Sequence, residues 1–94
     1  MSSDAERYWN ELVHRCACVL CMHIGMRQQS RTEGHHPDRD YPFYQAALCV
    51  EHHRGSTGLH GLSRRGFELR YKLDEAALVG LTNAQIATLL RRSP

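Results

Sequence analysis

Two short half-sites constrain what this chain can fold into. "CVLC" places Cys18 and Cys21 two residues apart, and "CVEH" repeats the spacing with Cys49 and His52. That spacing lets a tight turn aim two ligands at one ion, and three sulfurs with one imidazole complete the tetrahedral shell of a structural zinc. A shell closed in this way stabilises folding and leaves no position for substrate. A chain of 94 residues with only 7% aromatic content has a small core, which a metal staple would supplement. Cys16 offers an alternative to Cys18, but C-x-x-C is the commoner knuckle, so Cys16 is expected to be a buried small hydrophobe.

The flanks of this ligand-rich centre carry helical periodicity. Ser3 and Glu6 form a capping-box pattern ahead of Tyr8, Trp9, Leu12 and Val13, which predicts a helix over residues 4–15 with an apolar core stripe. From Cys16 to about Tyr44 the period is lost, and Gly34, Pro37 and Pro42 punctuate a polar stretch. It is expected to hold loop and at most two short strands, one ending near His35-His36 and the other being "YQAALC". "LSRRGFELRYKL" predicts a helix that carries Leu62, Phe67, Leu69 and Tyr71 and tolerates Gly66. "DEAALVG" predicts a short helix capped by Asp74 and stopped at Gly80, with Thr82 and Gln85 opening a second one. The expected organisation is a single domain over residues 1–94: the N-terminal helix, a zinc-stapled core over residues 16–71, and C-terminal helices over residues 72–94.

Charge and targeting signals narrow the setting. The formal charge is +2, and eleven arginines stand against one lysine, Lys72. Arginine's planar fork suits phosphate, so a nucleic-acid partner fits this composition without being demanded by it. The N-terminus has no apolar targeting core, and no run approaches the roughly 18 apolar residues of a membrane span. The expectation is a cytoplasmic protein with no membrane association, where reduced thiols serve as metal ligands and a disulfide switch involving Cys16 is disfavoured.

Four of the seven histidines occur as the doublets His35-His36 and His52-His53. With His52 assigned to zinc, His53 points elsewhere, and closing the knuckle could bring His35 and His36 near it. Two neutral imidazoles can hold a divalent ion while another, unligated, accepts a proton from water, which is the minimal equipment for metal-assisted phosphodiester hydrolysis. His60 is a candidate third ligand or phosphate contact, although Gly55 and Gly58 argue against an unbroken helix from His53. His14 and His23 have no such partner and are expected to be filler. The alternative for the whole set is one zinc site with the remaining histidines facing solvent.

"CVLC", "GHHPDRD" and "ALCVEHHRG", in this order, resemble the HNH or ββα-metal endonucleases. The fuller pattern E-x-H-H, L-C-x-x-H-H-R-G, G-x-H and F-x-x-x-Y is similar to the small phage recombination-enhancement (Ref-like) nucleases. The resemblance covers about residues 16–71. It implies an α+β fold, a zinc-stapled ββα-metal domain with flanking helices, acting as a phage- or prophage-encoded DNA endonuclease. It further implies His35 and His53 as ligands of a catalytic Mg, Mn or Zn ion, with His60 a candidate third. His36 would be the general base, and Cys18, Cys21, Cys49 and His52 the structural zinc site. Arg54, Arg64 and Arg65, beside that site, are candidate DNA phosphate contacts, and a RecA-like recombinase filament is a possible partner. Tyr44 stands where the family's central asparagine usually lies. The rival reading is a non-catalytic zinc module, a phage regulator or inhibitor that binds a protein or DNA.

Overall fold

A computed structural model describes residues 2–92; residues 1, 93 and 94, included in the single-domain expectation, lie outside the described residues. Within them the order is α1 (Asp4–Arg15), α2 (Val19–Ile24), β1 (Thr32–His35), β2 (Ala46–Cys49), α3 (Val50–His53), α4 (Leu59–Tyr71) and α5 (Glu75–Arg92). This is an α+β arrangement in which a two-stranded antiparallel sheet runs directly into a one-turn helix. None of the described helices is long and apolar enough to cross a membrane.

α1 begins where its cap pattern predicts, with the Ser3 hydroxyl accepting the Glu6 N–H at 3.1 Å. Leu12 and Val13 are buried and Trp9 packs against them, while Tyr8, at the edge of the stripe, stays 54% exposed. In the sheet Thr32 pairs with Cys49, Glu33 with Leu48, Gly34 with Ala47 and His35 with Ala46. All four residues of β2 are buried, because α5 covers it and α2 closes its end. Alanines at positions 46 and 47 leave room for that close cover. A single buried cluster then runs from Leu12 in α1 through Leu20, Leu48 and Phe67 to Leu78 and Ile86 in α5.

Three expectations are corrected. Residues 75–92 form one continuous helix, not two helices divided at Gly80. Leu78, Val79, Thr82 and Ile86 keep one buried face through the proposed break, and Gly80 lies on the opposite, open side, where an added Cβ would meet nothing within 4 Å. Asp74 does cap the start, accepting the Ala77 N–H at 2.8 Å. Thr82 is therefore not a cap. Its fully buried hydroxyl accepts the Ala47 N–H at 2.9 Å and donates to the Leu78 carbonyl at 2.9 Å, fastening α5 to the backbone of β2.

The second correction is at α4, which starts at Leu59, earlier than its apolar pattern suggested, and is interrupted at Ser63 (φ 67°, ψ 165°). The Ser63 hydroxyl accepts the Gly66 N–H at 3.3 Å, so it caps the second half of the helix. Phe67 is fully buried and Leu62 and Tyr71 half-buried, but Leu69 points outward at 62% exposure. The third concerns "CVLC", whose turn continues into the six-residue helix α2 and ends at left-handed Gly25 (φ 69°).

Thr82→Val keeps the side-chain volume and removes the acceptor, stranding the Ala47 N–H in the core. The expected cost is about 1–3 kcal/mol, read from denaturant unfolding with zinc present throughout.

Candidate metal centres

The first centre joins two distant parts of the chain. Cys18 is the N-cap of α2, its sulfur accepting the Cys21 N–H at 3.4 Å, so the first helical turn presents both thiols on one side. Cys49 ends β2 in extended geometry, and the single turn of α3 brings His52 round beside it. The four residues are buried and their ligand atoms all lie within 4.8 Å of one another. The Cys21 and Cys49 sulfurs are 3.8 Å apart, and the His52 Nδ1 is 3.3, 3.4 and 3.9 Å from the sulfurs of Cys49, Cys21 and Cys18. Tetrahedral zinc with its usual bond lengths has edges of about 3.8 Å between sulfurs and about 3.6 Å between sulfur and nitrogen. The donor set thus has the size and chemistry of a structural zinc site, and this Cys3His group can hold such a metal.

Electrostatics agree with that. Burial, reinforced by the neighbouring thiols, pushes the Cys21 thiol well above its ordinary range. Burial raises Cys49 as well, and burial lowers His52. Thiols buried together without a cation hold their protons, and a divalent ion is the natural counter-charge that lets them ionise. Cys16 stands apart, buried as expected, with its thiol donating to the Leu12 carbonyl at 3.3 Å and its pKa raised by burial.

A second cluster lies on the other side of α3. His35 at the end of β1, His53 at the end of α3 and His60 in the first turn of α4 converge, with ring centroids 4.9, 5.2 and 5.8 Å apart. One nitrogen from each lies within 4.8 Å of the others, so this trio is also a candidate metal site. Two glycines make the approach possible. A Cβ on Gly58 would fall 2.5 Å from the His52 carbonyl oxygen, and one on Gly61 would fall 2.3 Å from the Gly55 carbonyl oxygen. Gly55 and Gly58, which argued against an unbroken helix, do lie between α3 and α4, and Gly58 with Gly61 lets α4 fold back until His60 meets His53.

The surroundings include two residues to which sequence reading gave no role. His53 Nδ1 is 2.9 Å from a Glu33 carboxylate oxygen, and His35 Nε2 is 2.6 Å from Glu75. Glu33 was legible within the E-x-H-H pattern, two residues before His35 and hence on the same strand face. Glu75, from α5, has no local signal. Hydrogen bonding from His53, with help from Arg54, holds the Glu33 carboxyl below its usual range. Burial outweighs Glu33 and lowers His53, which favours a neutral imidazole.

His36 takes another direction. It follows β1 one residue after His35, so alternation along the chain sends it toward α1. There it lines an open cleft of about 520 Å³ with His14, Asn10, Arg31, Gln45 and His53. Partial desolvation, with the nearby His53, lowers its pKa. His14, expected to be filler, is therefore a cleft residue, whereas His23 lies apart in an apolar groove between α2 and α5. Tyr44 is 37% exposed, and the buried residue holding its loop is Gln45, whose amide donates to the Pro42 carbonyl at 2.8 Å and to Asn10 of α1 at 2.6 Å.

The three candidate phosphate contacts differ. Arg54 grips Glu33 with two bonds of 2.9 and 2.6 Å, and Arg64 pairs with Glu75 at 2.5 Å. Arg65 is exposed. Comparison with known proteins adds no family: no protein-family model, curated protein or solved structure matches the chain.

The Cys3His site is expected to hold one equivalent of zinc in the purified protein, with Cys49→Ser and chelation each abolishing both that metal and the cooperative thermal transition. Cys16→Ser should keep the metal. Metal analysis by mass spectrometry and circular dichroism checks all three.

Proposed function

We propose that this protein is a divalent-metal-dependent DNA endonuclease that hydrolyses phosphodiester bonds. The observation that carries the reading is the division of labour among clustered histidines: His35, His53 and His60 converge on one point, while His36, adjacent in sequence, faces an open cleft that shares His53. An ion held by the trio would supply positive charge to a phosphate oxygen and to the leaving oxygen. His36, its proton affinity lowered, takes a proton from a water molecule on a ring nitrogen as the water oxygen forms its bond to phosphorus. The bond to the 3′ oxygen breaks, and that oxygen is protonated from solvent. Arg31, which also meets Glu33 at 3.2 Å, and His14 line the same cleft and can steady the phosphate without reading sequence. Likeness of the motif order to HNH nucleases supports the same reading, and a RecA-like recombinase filament would be one way of presenting the DNA.

The pairing of Arg54 and Arg64 with carboxylates favours a second reading. With those two cations partly neutralised, the scaffold suits a non-catalytic zinc module that binds a protein or DNA. Plasmid nicking in magnesium, manganese or zinc separates the two. Wild-type protein should cut, and His36→Ala should cut about 10²–10⁴-fold more slowly with its structural zinc intact. Equal rates in the two proteins would remove His36 from the chemistry, and no cutting with any metal would favour the binding module.

A further inference from the structure

The trio of histidines is backed by an arrangement that occurs twice. In the first, Arg54 holds Glu33 through both of its oxygens and Glu33 accepts from His53 Nδ1. In the second, Arg64 holds one oxygen of Glu75 and His35 Nε2 meets the other. The two arrangements share no residue: both use β1, the first with the end of α3 and the second with α4 and α5. The arginine legs add little stability, since those side chains are 54% and 68% exposed. Their chemical effect is on the rings. A neutral His53 that donates from Nδ1 keeps its lone pair on Nε2, and a neutral His35 that donates from Nε2 keeps its lone pair on Nδ1.

We infer that Glu33 and Glu75 are positioning residues that fix His35 and His53 in opposite tautomers, building a centre for a borderline transition ion such as zinc or cobalt(II) and not for magnesium. Glu33 and Glu75 are engaged in these hydrogen bonds and are not members of the convergent group, whose ligand atoms are three imidazole nitrogens. Imidazole suits zinc, cobalt and nickel; magnesium demands an octahedron of oxygens and gives up its water reluctantly. The inference rests on the same three-histidine site as the nuclease reading but not on cleavage.

The test is a cobalt(II) titration of the full chain with its Cys3His site already filled by zinc. A visible ligand-field band without thiolate-to-cobalt charge transfer is expected, because the second site offers no sulfur. Glu33→Gln and Glu75→Gln should each weaken cobalt binding about 10–100-fold, whereas Glu11→Gln on the exposed face of α1 should leave it unchanged. In wild-type protein, nitrogen NMR should find His53 protonated at Nδ1 and His35 at Nε2. Affinities within about twofold of wild type in both glutamine variants, both rings in the same tautomer, or displacement of cobalt by equimolar magnesium would each overturn the inference. Cobalt binding of the expected strength without DNA cleavage under any metal would sink the nuclease reading and leave this one standing.

Discussion

Closure of the Cys3His cluster is the constraint on which the rest of the molecule depends. Its two halves come from the cap of α2 and from the junction of β2 with α3. The sheet has only two strands of four residues, too little to be stable without cover. Pinning the end of β2 to α2 fixes where α5 must lie across it, and Thr82 then ties that helix to the strand backbone. A bound structural metal would act on the long excursion between Cys21 and Cys49, whose closure costs entropy that an isolated hairpin of this size cannot recover.

The parts of this arrangement legible in the sequence were those governed by short spacing. Two residues between ligands bring thiols to one side of a turn, and the cap at Ser3 fixes the start of α1; both can be read locally. The split of His35 from His36 follows from alternation along a strand, and the split of His52 from His53 from the single turn of α3. Gly55 and Gly58 also gave a correct local signal, since the chain does break between α3 and α4.

What escaped has a common cause in tertiary context. Gly80 reads as a stop until its solvent-facing side of α5 is known, and Thr82 reads as a cap until β2 supplies a backbone N–H for it. Glu75 lies 40 residues from His35, so no window on the sequence could join them. Arg54 and Arg64 pair with the carboxylates that meet His53 and His35, and those partners depend on the register of β1 and the docking of α5. His14 looked solitary because its neighbours across the cleft come from β1 and the loop after it.

His52 and His53 are joined by one peptide bond yet belong to different clusters. The distance between the two centres is therefore set by covalent geometry, with no flexible linker to absorb a change in either. Any rotation of α3 that improves one imidazole's aim degrades the other's, so the two sites cannot be tuned separately by sequence change in this helix. The two clusters thus share one turn of backbone, and the placement of α3 sets both imidazoles at once.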